Sequence, residues 1–314
     1  MKKFTIILAA TVLSSVLFFK FSKKEDNLAF NVRVCKVIEH EALNAVVAGM
    51  SNYLSAQKGK KFKISVETCQ GNMALASQII AKFANTKTDV VVTVGTIPSQ
   101  AAYRIAKDRR IRTVFSSVTN PADICGDFSN SNMTGVSNFV KLEPQLEIFK
   151  KIQPNLQKIG MIYNTSEANS ASIIKNIRPI CEKMKIELMV QGISKISELP
   201  QATEKLAKNV DAIFISNDNM VLSGMRNIIA ICGKNGIPLY VSDTDQVEKG
   251  CAAALGPNQY NIGIQTGKIV KRIADGEDIN KIAIQYPDKT ELYVNTKSIP
   301  KIPAEVLGQA KKIF

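Results

Sequence analysis

Residues 89–96, with the sequence DVVVTVGT, form the stretch that decides the fold. The pattern returns 122 positions later, at residues 211–218, as DAIFISND. A second pair, RTVFSS at 112–117 and PLYVSD at 238–243, repeats at nearly the same offset. Continuous apolar runs rich in β-branched residues are typical of strands buried on both faces of a parallel sheet. The two pairs therefore indicate a duplicated α/β lobe.

The same alternation extends outward from these runs along the chain. Between the strand-like segments the apolar residues follow a helical period, as in residues 75–83 and 173–180. Strands that alternate with amphipathic helices predict βαβ units and parallel sheets. The fold class that we predict is α/β, with two Rossmann-like lobes and a ligand cleft between them. The predicted strands are 32–38, 62–66, 90–94, 112–115, 159–163, 186–190, 212–215, 239–241 and 252–255.

Size and charge agree with two globular lobes. The chain has 314 residues, 45% of them hydrophobic and none of them Trp, which suits two domains of ordinary size. It carries 41 Lys and Arg against 27 Asp and Glu, a net charge of +14. A basic chain raises nucleic acid as a partner, but the lysines are scattered and no segment interleaves Arg with aromatic residues. A solvated basic surface is the favoured interpretation, and no nucleic-acid partner is predicted.

The sequence lacks the motifs of most enzyme classes. His40 is the single histidine, and there is no G-x-S-x-G segment, so a serine-hydrolase triad is disfavoured. The six cysteines never form C-x-x-C, which argues against a zinc cluster or a redox pair. Neither phosphate-binding glycine motif is present. We therefore predict a protein that is not an enzyme, with no cofactor and no metal, and we assign no disulfide.

Residues 1–27 are predicted to be a signal peptide or an N-terminal anchor. Lys2 and Lys3 precede an apolar run at 4–19, which further lysines follow. A positive segment before an apolar one directs export, which predicts a periplasmic protein. No small-x-small cleavage site stands clearly at the end of the run, so an uncleaved membrane anchor is the alternative.

Polar clusters follow the predicted strands in both halves. Hydroxyl groups end the strands of the N-terminal half, whereas Asp218 and Asp243 end two strands of the C-terminal half. Ligands of parallel sheets bind at these carboxyl ends, close to helix N-termini. Hydroxyl and N–H groups suit a carboxylate, and paired Asp side chains suit an ammonium, so a free amino acid would satisfy both walls. Capping of the following helices is the alternative role for each of these residues.

At these strand ends the sequence resembles the type I periplasmic binding fold. More narrowly, it is similar to the ABC-transporter substrate-binding family of the tryptophan- and aromatic amino-acid-binding kind. The segments that carry the likeness are IEHEALNA at 38–45, VGTIPSQAA at 94–102, FSSVTNP at 115–121, TGVS at 134–137, GMIYN at 160–164, SNDN at 216–219 and Asn258 with Gly263.

The resemblance implies a site and a lobe arrangement. The residues implied to hold the ligand carboxylate are Thr96, Ser116, Ser117 and Thr119. Those implied to hold the ammonium and close the cleft are Asp218, Asp243 and Asn164. His40 and Tyr163 would border the side-chain pocket, and packing or capping is the alternative for His40. The N-terminal lobe would comprise residues 30–136 and 257–282, and the C-terminal lobe residues 137–256 and 283–314.

The expected function is an extracytoplasmic solute-binding receptor of an ABC importer. Its ligand would be a free amino acid with an aromatic side chain as one option, and its partner an ABC permease in the cytoplasmic membrane. The protein is expected to be a monomer. The alternatives are a binding protein for a neutral sugar or nucleoside and, ranked lower, an enzyme or a sensor domain on the same scaffold.

Overall fold

The computed structural model describes residues 29–109, 111–299 and 301–314, so the predicted signal or anchor at 1–27 lies outside the described residues. The chain forms two α/β lobes, each built on one sheet. In the first sheet the strands lie in the order β2-β1-β3-β4-β5, and all of them pair in parallel. They are β1 (Phe30–Lys36), β2 (Phe62–Thr68), β3 (Val90–Val94), β4 (Thr113–Val118) and β5 (Met133–Ser137).

Helices cover both faces of this sheet. Three of them connect its strands: α1 (Glu41–Ser55), α2 (Met73–Ala84) and α3 (Thr96–Arg109). A later helix, α9 (Gln259–Ala274), packs against α1 at backbone distance. A Cβ atom at Gly263 of α9 would lie 2.0 Å from the carbonyl oxygen of Val46, so only glycine permits this approach. Helix α9 therefore contributes its apolar face to the core of the first lobe.

The second sheet has the order β12-β11-β10-β9-β8-β6-β7. Its strands are β6 (Lys158–Asn164), β7 (Glu187–Ile193), β8 (Ala212–Ile215), β9 (Leu239–Val241), β10 (Ala253–Gly256), β11 (Glu291–Val294) and β12 (Lys312–Ile313). Its helices are α4 (Leu142–Ile152), α5 (Ala168–Lys183), α6 (Leu199–Ala207), α7 (Asn219–Ser223), α8 (Met225–Asn235) and α10 (Ala304–Gln309).

The predicted fold class is confirmed, with one departure from parallel pairing. Strand β11, which the chain forms after leaving the first lobe, runs antiparallel to β10 and lies between it and the edge strand β12. The short strands β5, β11 and β12 were not among those predicted from apolar runs. The lobe boundaries stay a prediction. Among the described residues, no helix has both the length and the apolar character needed to cross a membrane.

Candidate functional site

A small cavity lies between the lobes, where the carboxyl ends of the parallel strands face each other. Its volume is about 10 Å³, which is room for about one water molecule. The polar side chains that line it are His40, Thr96, Ser117, Thr119, Asn138, Asn169, Asn217, Asn219, Asp243 and Gln259. Five of the nine residues predicted for the site are in this set, and they come from both lobes.

Ser117 enters the cavity because strand β4 bulges at this point. The register between β4 and β5 shifts between Ser116 and Val118, and Ser117 has a φ of +52°. A bulge turns a side chain away from the alternation of the strand. The Ser117 hydroxyl is buried and has no hydrogen-bond partner within the described part of the chain, so the local strain brings an unsatisfied donor to the cavity.

Thr96 and Thr119 complete the hydroxyl side of the cavity. Both are buried, and Thr96 is the first residue of α3, where the backbone N–H groups of a helix lack partners within the helix. The Thr119 hydroxyl donates to Oδ1 of Asn138 at 3.2 Å. Hydroxyl groups beside a helix N-terminus form a wall that suits an anionic ligand group.

Asp243 supplies a carboxylate on the opposite wall. It caps a short helical turn, accepting from the backbone N–H of Asp245 at 3.2 Å and from the side-chain amide of Gln246 at 3.2 Å. Burial, with the nearby charge of Asp245, raises the pKa of Asp243 from 3.8 to about 6. Among the described residues no cation forms an ion pair with it, so a ligand cation would lower its pKa again.

Two residues of the cavity lining carry a buried amide oxygen that finds no hydrogen-bond partner among the residues the structure describes. These oxygens are Oδ1 of Asn169, at the start of α5, and Oε1 of Gln259, at the start of α9. Each unsatisfied buried acceptor costs about 1–3 kcal/mol. Together with the Ser117 hydroxyl, these atoms form an arrangement that a polar ligand would satisfy.

Three of the predicted ligand contacts lie elsewhere in the structure. The hydroxyl groups of Ser116 and Thr266 are hydrogen-bonded at 2.7 Å within the first lobe, because the bulge turns Ser116 toward α9. Tyr163 lies against Gly192 of the neighbouring strand β7. The Asn164 side chain donates to Glu167 at 3.1 Å and accepts from the backbone of the next loop. None of the three lines the cavity.

Asp218, the fourth such residue, points into the second lobe. It accepts hydrogen bonds from the backbone N–H of Val221 at 2.9 Å and of Asn164 at 2.5 Å, and from the Ser170 hydroxyl at 2.7 Å. Burial, followed by the charge of Glu167, raises the pKa of Asp218 to about 7. The structure therefore makes Asp218 the cap of α7 and separates it from Asp243, instead of pairing the two around one cation.

His40 joins the two lobes at the edge of the cavity. Its Nε2 lies 3.4 Å from Oδ1 of Asn219. Burial lowers the pKa of His40 to about 4, so the ring is neutral at pH 7 and donates from Nε2 when the Asn219 oxygen accepts. Two further contacts join the lobes. The Ser172 hydroxyl donates to Asp123 at 2.8 Å, and Lys249 forms an ion pair with Glu41 at the cleft mouth. These contacts hold the lobes together in a closed arrangement.

Sequence reasoning missed half of the polar lining. The missed residues are all amides: Asn138, Asn169, Asn217, Asn219 and Gln259. Asn169, Asn219 and Gln259 lie in the first turn of a helix. Polar residues at helix starts commonly serve as caps, so the sequence alone does not separate helix capping from ligand binding. Asn217 and Asn219 flank Asp218, and the polar cluster at 216–219 was the one signal that pointed to them.

A second cavity adjoins the first, since Thr119 and Asn217 line both. Its volume is about 120 Å³, and its apolar lining consists of Phe139, Val140, Leu142 and Ile173. A wider groove of about 720 Å³ opens at the cleft mouth and shares His40 and Leu222 with the polar cavity. That groove is more charged, with Glu39, Glu41, Arg226 and Lys249 along it.

Known proteins resemble this chain in sequence and in fold. Residues 31–312 match the family described as ABC transporter substrate binding protein. A tyrosine-binding protein of Clostridioides difficile is 27% identical over 294 residues, covering 91% of this chain and 84% of the relative. A conserved domain protein of Vibrio cholerae is 31% identical with a TM-score of 0.86, covering 91% of this chain and all of that one.

A similar fold occurs in an ABC domain from Streptococcus pneumonia that was solved in complex with L-Trp. It is 23% identical with a TM-score of 0.84, and the alignment covers 91% of this chain and all of that one. Because the family match extends over nearly every described residue of both lobes, the chain belongs to the ABC transporter substrate-binding protein family.

Proposed function

We propose that this protein is the extracytoplasmic receptor of an ABC importer and that it binds a free amino acid between its lobes. The family consists of binding proteins that deliver a solute to a permease, and we place this member in the periplasm as a monomer without catalytic activity. A neutral sugar or nucleoside is the alternative ligand class.

The division of the cavity into two chemically different walls carries the proposal. The N-terminal lobe presents the hydroxyl groups of Ser117 and Thr119 and the start of α3. The opposite wall presents the carboxylate of Asp243 and the free oxygen of Asn169. A zwitterion places its carboxylate on the first wall and its ammonium on the second, and charge-assisted hydrogen bonds make both contacts strong.

The ligand side chain is proposed to occupy the adjoining apolar cavity. Phe139 is more than a third exposed and can stack on an aromatic ring, while Leu142 and Ile173 surround the same space. The volume of about 120 Å³ has room for one aromatic ring. A tyrosine-binding relative and a structure in complex with L-Trp support an aromatic ligand.

The closed cavity is too small for any amino acid. It encloses about 10 Å³, whereas small-molecule sites enclose roughly 300 Å³ or more. The ligand therefore enters after the lobes separate, and the lobes close around it in a wider arrangement than this one, which still excludes water from the charged groups. Water exclusion strengthens the ion pair, because the same charges interact more strongly at low dielectric.

The test is calorimetric titration of the protein with the twenty free amino acids, with sugars and nucleosides as the comparison set. We expect saturable binding of one or more aromatic amino acids and none of the neutral ligands. Binding of a sugar or nucleoside alone would replace the amino-acid proposal with its alternative. Chemical conversion of the bound ligand, followed by mass spectrometry over hours, would show an enzyme instead.

A further inference from the structure

Glu167 is a buried carboxylate that the cavity does not expose. It lies at the start of α5, is 3% exposed, and forms no ion pair with any cation among the described residues. It accepts from the side-chain amides of Asn219 at 2.6 Å, Asn164 at 3.1 Å and Asn169 at 3.3 Å, and from the backbone N–H groups of Asn219 and Met220.

A carboxylate without a proton can only accept hydrogen bonds, so it fixes which end of each amide faces it. Glu167 holds the NH₂ groups of Asn169 and Asn219, and the backbone oxygen of Asn217 takes the second proton of Asn169 at 2.9 Å. The carbonyl ends of both amides must then point the other way. The oxygen of Asn169 is then left for the cavity, where Oδ1 has no partner among the described residues. The oxygen of Asn219 is directed to the interlobe contact with His40.

We infer that Glu167 is a positioning residue that turns this wall of the cavity into a set of acceptors and thereby selects ligands that carry an ammonium group. The inference rests on the proposed function, because it explains how the second lobe recognises one end of the amino acid. The acceptor set comprises the free oxygen of Asn169, the carboxylate of Asp243 and the second lone pair of the Asn219 oxygen, whose first lone pair faces His40 at the edge of the cavity. Without Glu167 the two amides could rotate and present donors, which repel an ammonium.

The experiment compares two ligands that differ only in the ammonium group. The probes are L-tyrosine and 3-(4-hydroxyphenyl)propanoate, with L-phenylalanine or L-tryptophan and the corresponding des-amino acid if either binds more tightly. The quantity measured is the dissociation constant of the des-amino analogue divided by that of the amino acid. A larger ratio means a stronger preference for the ligand that carries the ammonium group. We expect Glu167→Gln to lower this ratio by about tenfold or more, because the neutral amide no longer dictates the orientation of its neighbours.

A matched control separates orientation from loss of stability. Thr203→Val removes a buried hydrogen bond to Leu199 at 2.7 Å in the same lobe, away from the cavity. We expect this variant to unfold more easily but to keep the wild-type ratio. If Glu167→Gln does not fold, Asn219→Ala provides the second test, since it removes one of the two oriented amides and leaves Glu167 in place. We expect it to lower the ratio about threefold or more.

The outcomes separate this inference from the proposed function. If the wild-type protein binds no amino acid, the proposed function fails and the inference fails with it. If the wild-type protein prefers the amino acid to its des-amino analogue and both variants keep that preference, Glu167 is a structural residue only. A fall in affinity that is equal for both probes would likewise overturn the inference.

Discussion

The substitution Asp243→Asn should change stability and affinity in opposite directions. The carboxyl of Asp243 has a pKa of about 6 in the folded protein, against an ordinary value of 3.8. A folded pKa that lies above the unfolded one means that the native state holds the proton more tightly. Stability therefore falls as pH rises through the window between these two values, and the cost of the buried charge persists at pH 7.

The magnitude follows from the size of the pKa difference. At 1.36 kcal/mol for each pH unit, the buried charge of Asp243 costs about 3 kcal/mol at pH 7. Asparagine removes this cost but loses one of the two accepted hydrogen bonds, which is worth about 1 kcal/mol. We expect the ligand-free Asp243→Asn protein to be more stable by about 1–3 kcal/mol at pH 7, measured by urea unfolding at fixed protein concentration.

Ligand affinity should fall in the same variant. Removing one partner of a buried ion pair costs about 2–5 kcal/mol of binding free energy. This cost raises Kd roughly 30-fold to several thousand-fold. Asp245→Asn is the matched control, because Asp245 is two residues away, has a pKa that burial also raises, and does not line the cavity. The affinity of the Asp245→Asn protein for the amino acid should stay within about threefold of that of the wild-type protein. Wild-type affinity in Asp243→Asn, or a fall in its stability, would refute the reasoning.

The remaining predictions concern pH, the two walls and the side-chain cavity. Binding of an amino acid by the wild-type protein should weaken below pH 6, by up to about tenfold per pH unit as Asp243 is protonated, and calorimetry on Asp243→Asn should show this dependence removed. Ser117→Ala should weaken binding by about 1 kcal/mol, whereas the neighbouring Ser116→Ala should lower only the free energy of unfolding by a similar amount; the reverse order would contradict the bulge. Phe139→Ala should weaken aromatic amino acids at least about fivefold relative to alanine in competition titrations, and equal effects on both would place the side chain elsewhere. Gly95→Ala should destabilise the protein by about 2 kcal/mol in urea unfolding, because Gly95 has a φ of +99° and an added Cβ would lie 2.6 Å from a neighbouring side chain.

The strands could be predicted closely because buried parallel strands have a simple sequence signature. The apolar runs at 90–94, 212–215 and 239–241 have the same bounds as β3, β8 and β9. Strand β11, by contrast, alternates buried and half-buried residues and lacks a continuous apolar run, so its pattern does not stand out from a loop. Tertiary pairing decides such short strands more than local preference does.

The candidate site was predictable at the level of strand ends and not at the level of side-chain direction. The residues Ser116 and Ser117 are adjacent and chemically identical, yet a bulge sends one to α9 and the other to the cavity. Asp218 and Asp243 both follow a strand, but only Asp243 lines the cavity, since Asp218 caps α7. Such choices depend on backbone geometry and on distant partners such as Thr266 for Ser116 and Ser170 for Asp218, which a single sequence does not reveal.

The same unsatisfied groups that would recognise a ligand also make the closed state costly without one. The free atoms of Ser117, Asn169 and Gln259 each cost about 1–3 kcal/mol when buried, and the charge of Asp243 adds to that cost. Separation of the lobes lets water satisfy all of these groups at once. A ligand that supplies an ammonium and a carboxylate removes the cost in the closed state alone, so its differential affinity shifts the population toward closure. Recognition and conformational change are then two consequences of one set of buried polar atoms.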